Sequence, residues 1–162
     1  MRENIMIEQT ESTTHKLYDI DYQIWLETTL EQLRNGQYSD VDWENLLEEI
    51  EGMTRSDKRA LKSLLTRLFE HLLKLAYWES EREYNQAGWE AEIENFRILI
   101  KELLEDSPSL KPYLREILDK SYQDAVKVTY KKTRLPSNTF PVYPIANLEQ
   151  ILDDDWLFIN NL

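Results

Sequence analysis

The chain reads as an all-α protein: a bundle of about five helices, then a C-terminal extended segment and a short helix. Three observations predict this. Glycine is confined to three residues of 162, and the prolines begin only at Pro108, so long helices are favoured over many short strands. Apolar residues recur at threes and fours along most of the chain. The stretch from Asp42 to Leu75, DWENLLEEIEGMTRSDKRALKSLLTRLFEHLLKL, reads as two amphipathic helices of opposite charge meeting at a four-residue break.

The first helix starts at a cap, Asp19 or Asp21, and runs to Asn35. Tyr22, Trp25, Leu26, Thr29, Leu30 and Leu33 form its apolar stripe, and Asn35-Gly36 supplies a left-handed stop. Asp40 or Asp42 caps a second helix with the stripe Trp43, Leu46, Leu47 and Ile50, and Gly52 ends it. Thr54 to Asp57 caps a third helix reaching about Trp78. Its broad face of Leu61, Leu64, Leu65, Leu68, Leu72, Leu75 and Ala76 suits the centre of a bundle. Ser80 to Gly88 reads as a polar connection. The fourth helix, Trp89 to Glu105, uses Trp89, Ile93, Phe96, Ile100, Leu103 and Leu104. After the break at Asp106-Ser107-Pro108-Ser109, a fifth helix runs from Leu110 to about Thr133, with Pro112 tolerated in its first turn. It buries Leu114, Ile117, Leu118, Tyr122, Ala125 and Thr129.

Main helices thus end near residue 134. Residues 135–162 form a strap, extended where Pro136, Pro141 and Pro144 fall. Phe140, Val142 and Tyr143 give it apolar weight, so it is expected to lie across the bundle. Asn147 caps a last short helix through Leu152. Residues 1–16 read as a mobile arm and 17–162 as a single helical domain.

Composition narrows the function classes. The absence of cysteine removes disulfides, thiolate metal sites and cysteine nucleophiles, and fits a reducing cytoplasm. No run approaches the ~20 apolar residues of a membrane span, and acidic residues interrupt the N-terminus where a signal peptide would need an apolar core. A soluble, cytoplasmic protein is expected. The net charge of −12 is segregated: residues 1–53 carry 3 basic and 13 acidic side chains, and residues 54–75 carry 6 and 2. Nonspecific nucleic-acid binding is therefore disfavoured. Lys131, Lys132 and Arg134 are accounted for by the dipole of the helix end that they close.

Several phrases occur together in order: Tyr18-Asp19-x-Asp21-Tyr22 with Trp25; Leu33-Arg34-x-Gly36; Glu48-Glu49-Ile50-Glu51-x-Met53-x-Arg55-Ser56; His71-Leu72-Leu73-Lys74; Arg97 with Ile100; Ser107-Pro108-Ser109-Leu110; Tyr122 with Ala125; Phe140-Pro141; and Ile151-Leu152-Asp153. This set resembles the bacterial, mainly cyanobacterial, family catalogued as domain of unknown function 29, over about residues 17–157. The resemblance implies an all-helical fold and carries over no catalytic residue. The family commonly has glycine where this chain has Thr54, and a cysteine before the late phrase where this chain has Val142 and Tyr143.

One constellation invites a chemical reading. Glu44, Glu48 and Glu51 share one side of the second helix, within about 60° at ~100° per residue. With His71 they would make a hard-metal or zinc site. Register opposes it. In an antiparallel hairpin turning near Thr54, Glu48 lies opposite Ala60 and Glu44 opposite Leu64, leaving His71 near Tyr38 to Asp42. There His71 is expected to bond loop backbone or Asp42, and the glutamates to pair with Arg55, Lys58, Arg59 or Lys62. No dry cleft for two-carboxylate acid/base work is evident, and His15 falls in the arm. Trp25 and Trp43 read as core, whereas Trp78, Trp89 and Trp156 seal the bundle edge or form a partner patch.

The expected function is therefore an interaction module that needs no cofactor: an antitoxin-like neutralising or adaptor subunit whose acidic first half covers a basic protein. The alternative is a metal-dependent enzyme using Glu44, Glu48 or Glu51 with His71. The wide apolar faces suit a monomer core and a homodimer seam equally.

Overall fold

The computed structural model describes residues 16–158. The protein is all-α, with no strand among the described residues. Most of the expected N-terminal arm, with His15, lies outside them; Lys16 is already helical. The chain divides between Arg55 and Ser56 into two compact units.

In the first unit, residues 16–20 are helical. Asp21 then caps α1 (Tyr22–Arg34), its carboxylate accepting from the Ile24 N–H at 3.1 Å. At the far end the Gly36 N–H reaches the Leu33 carbonyl and the Gln37 N–H the Gln32 carbonyl. These are the paired bonds of a Schellman ending. They need left-handed backbone at Gly36, whose φ is +70°. A 3₁₀ turn, Tyr38–Asp40, leads to α2 (Trp43–Tyr77). Trp25, Thr29, Val41 and Asn45 are buried in this unit.

α2 corrects the largest expectation. It is one unbroken helix of 35 residues, so neither a stop at Gly52 nor a new cap at Thr54 to Asp57 exists. A helix-interior glycine costs only ~1 kcal/mol relative to alanine, and nothing nearby removes a backbone donor as proline would. Thr54, read as a cap, instead turns its hydroxyl back to donate to the Glu51 carbonyl at 2.9 Å. Glu51 and Arg55 pair at 3.3 Å one turn apart, across the expected break. The helical hairpin is not formed.

The second unit holds the main core. Leu61, Leu65, Leu68, Phe69, Leu72, Leu73 and Leu75 of α2 cluster with residues of α3 (Glu79–Asp106), α4 (Lys111–Glu116), α5 (Leu118–Thr133) and the strap. α3 begins ten residues before the expected Trp89, so Ser80 to Gly88 is helix and not a connection. That segment lacks apolar period but is rich in helix formers. Asn85 bonds Glu81, Gln86 bonds Glu90, and Arg82 donates at 2.6 Å to the Ala76 carbonyl left open at the end of α2. Only Trp78 separates the two helices.

The expected break after Asp106 is present, as a 3₁₀ turn over Pro108–Leu110. The expected fifth helix is split at Ile117 into α4 and α5, although the i→i−4 bonds from Ile117 to Tyr113 and from Ser121 to Ile117 persist. Arg134 closes α5 in left-handed backbone, φ 57°.

The strap lies on the second unit's core. Phe140 is buried, and the Tyr122 hydroxyl donates to the Pro141 carbonyl at 2.7 Å. Val142 and Tyr143 instead point to solvent. A 3₁₀ turn (Ser137–Thr139) and α6 (Leu148–Ile151) complete the strap, with a capping box between Asn147 and Gln150. Arg97, 1 % exposed, donates to three strap carbonyls, those of Ile151, Asp154 and Trp156.

Candidate protein interface

The first unit combines acidic charge with uncovered apolar surface. Among the described residues, ten of the seventeen exposed large apolar side chains lie between Ile20 and Met53. On α1, Trp25 and Thr29 face inward, while Tyr22, Leu26 and Leu30 remain exposed along the edge of the same stripe. Leu30 lies in an open groove of about 360 Å³, lined also by Glu27, Glu31, Arg34 and Asn35. On α2, Trp43, which was expected in the core, is exposed at 46 %, and Leu47 and Ile50 of the same stripe at 56 % and 49 %. They continue the stripe that becomes core from Leu61 onward, at helical spacing.

A polar lattice fixes this surface. The Tyr18 and Tyr22 hydroxyls donate to the two oxygens of Glu49, at 2.5 and 2.9 Å. These two bonds, the Tyr18 one first, hold the Glu49 carboxyl below its ordinary range. The same bond is the leading cause that pushes the Tyr18 phenol up to about 12. Tyr18, Tyr22 and Trp25 pack ring to ring, with centroids 4.9 to 5.9 Å apart. The Trp25 indole N–H donates to Asp42 at 3.3 Å, and the Asn45 amide to the same Asp42 oxygen at 2.7 Å. The Trp43 indole N–H donates to the Tyr38 carbonyl, which holds its ring at the surface.

The candidate ligands fall in different units. Glu44, Glu48 and Glu51 are exposed on the first turns of α2, in the first unit, whereas His71 belongs to the second. Among the described residues, no three histidine, aspartate or glutamate side chains gather as a metal site would need. His71 bonds the backbone of its own helix. Its Nδ1 donates to the Arg67 carbonyl one turn earlier, at 2.8 Å, since a carbonyl can only accept. The ring lies 5.3 Å from Phe96, and burial lowers its pKa. Of the expected glutamate pairs, that of Glu51 with Arg55 is present, within the helix.

Sequence reasoning passed over Glu49 in favour of its neighbours. The signal was available: Tyr18 and Tyr22, four apart, present two hydroxyls on one face that need an acceptor. It also passed over Lys74, which is 7 % exposed with its ammonium 5.5 Å from the Trp89 ring centre. Burial first, then Lys132, pushes the Lys74 pKa down to about 8. Glu70, equally buried, is held by Lys132 at 2.9 Å.

The family described as Domain of unknown function DUF29 matches residues 17–157. The chain belongs to this family. No curated protein and no solved structure matches it. The DUF29 match takes in the Tyr18–Glu49 lattice, the Arg97 contacts and most of the strap. No helix among the described residues is long and apolar enough to cross a membrane.

Proposed function

We propose that this DUF29 protein is a protein-interaction module whose acidic first unit covers a basic partner, as a neutralising subunit of antitoxin type or an adaptor. One observation carries the reading: exposed apolar side chains concentrate in the segment whose charge balance is 3 basic against 13 acidic residues. Apolar area offers binding free energy, and the carboxylates around it select a basic partner and speed encounter. On α1 this surface is the groove at Leu30, with Glu27 and Glu31 at its rim. The reading takes the protein to work in the cytoplasm of bacteria, cyanobacteria above all, and the lack of cysteine accords with that compartment.

The test is affinity capture from the native host with wild-type protein and with the double variant Leu26→Asp/Leu30→Asp. A stoichiometric basic protein should be retained by the wild type and lost with the variant. Capture of none, or equal capture by both, would remove the reading.

A further inference from the structure

The second unit holds a groove of about 320 Å³ between α2 and α5. Six residues of α2 between Arg59 and Glu70 line it, together with Asp124 of α5. Arg59, Ser63 and Arg67 recur at every fourth position, so they stand on one line of the helix, ~6 Å apart. All three are exposed.

Both carboxylates of the groove are already met by cations. Glu70, 7 % exposed, fixes the Lys132 ammonium at 2.9 Å. Asp124 has Lys120 at 3.2 Å and Lys62 at 3.6 Å. Desolvation raises the Asp124 pKa, but Lys120, Lys62 and Lys127 outweigh it and hold the carboxyl below its ordinary range. Arg59 and Arg67 are left over. Among the described residues neither forms an ion pair: Arg67 has only the Phe96 ring, 6.0 Å from its guanidinium, and Arg59 and the Ser63 hydroxyl have no partner. Six cations thus surround two carboxylates, in a chain whose net charge is −12. Their mutual repulsion is relieved when an anion enters the groove.

We infer that this groove binds a compact polyanion of the phosphoanhydride class, a di- or triphosphate, with Arg59 and Arg67 as its clamps and Ser63 as a hydroxyl donor between them. Arginine suits the role because its planar fork bonds phosphate oxygens in pairs. Two arginines at two turns' separation call for more than one anionic group. Lys62, Lys120 and Lys132 supply further charge from around the groove. Compactness follows from the charge map. Charges are screened beyond about 8 Å at physiological salt, so a short anion meets mainly the local cationic surplus. A nucleic-acid strand would run past it over a chain of net −12. The acidic first unit takes no part in this site, which stands whether or not that unit covers a protein.

Isothermal titration calorimetry of the full chain with sodium tripolyphosphate in low salt tests it. We expect one site with a Kd on the order of 10 μM, weakened about tenfold or more in Arg59→Gln/Arg67→Gln and less in Ser63→Ala. Arg115→Gln, on α4 and outside the groove, should bind as wild type. Arg59→Lys/Arg67→Lys keeps the charge without the fork and should fall between wild type and the glutamine variant. It repeats the test should the glutamine variant lose helicity by circular dichroism. ATP run in parallel separates the sources: tighter binding than tripolyphosphate assigns a nucleotide, and equal or weaker binding an inorganic polyphosphate. No heat at ~1 mM tripolyphosphate, affinity unchanged in the folded arginine variants, or tighter binding of a single-stranded oligonucleotide of about 12 nucleotides would overturn the inference.

Discussion

Arg97 donates from Nε to the Ile151 carbonyl at 2.8 Å, so a buried cation in α3 holds the end of α6. Its other nitrogens hold the Asp154 and Trp156 carbonyls at 3.2 and 2.6 Å. Burial lowers the Arg97 pKa, and Glu94, Asp154 and Asp153 oppose that effect. Arg97→Met removes the charge but leaves three carbonyls short of a donor. We expect a loss of about 3 kcal/mol in urea unfolding and faster proteolysis between residues 135 and 158. Arg97→Lys should recover only part of this, because one ammonium cannot reproduce the fork. A Met variant as stable as wild type would show that the latch contributes nothing net.

Glu49 gives the first unit an acid limit. Its folded pKa is depressed below 4.5, so its stabilising contribution is present above that value and is lost as pH falls through the folded value. Tyr18 acts at the other extreme. Its pKa is raised from 10.0 to about 12, so its contribution is present below 10 and is lost as pH rises through 12. Glu49→Gln should flatten the acid limb of unfolding followed by emission in a background that keeps Trp25 and replaces the other four tryptophans with phenylalanine. An unchanged limb would assign acid sensitivity to other carboxylates.

Lys74 has the opposite sense. The unfolded chain keeps its proton up to 10.5 and the folded one releases it near 8, so stability should rise with pH between those values. Lys74→Met should abolish the rise and stabilise the protein at neutral pH by on the order of 1 kcal/mol, less whatever the contact with Trp89 contributes. Denaturant titrations at pH 7 and pH 10 check both parts, and a wild type no more stable at pH 10 would refute them.

The glycines separate by backbone. A Cβ at Gly52 or Gly88 would meet nothing within 4 Å, and both lie inside helices. Each change to alanine should stabilise by about 0.5–1 kcal/mol. Gly36 also has open space, but its φ of +70° makes Gly36→Ala destabilising by about 1 kcal/mol. Thermal melts of the three single variants should show this split of sign.

What the chain disclosed in advance was mostly capping and periodicity. Asp21, Gly36 and Asn147 act as expected because their chemistry is local. The two misplaced breaks share one cause. Gly52 with Thr54 to Asp57, and the polar run from Ser80 to Gly88, carry features that permit a loop without requiring one. Helix formers, absent proline and side-chain bonds such as Arg82 to Ala76 decide for helix. The candidate surface was legible as charge but not as exposure. A stripe such as Trp43, Leu47 and Ile50 looks the same in sequence whether a core covers it or not. Arg97 and Lys74 could not be foreseen as buried, since each depends on contacts distant in sequence.

The Trp78 and Trp89 rings stack 5.8 Å apart at 14°, with the Lys74 ammonium beside the latter. Two nearly parallel indoles at that range couple their electronic transitions, and a neighbouring charge shifts the energy of the excited state. The pair is thus a natural chromophore whose near-ultraviolet circular dichroism should change as Lys74 loses its proton, with no dye attached.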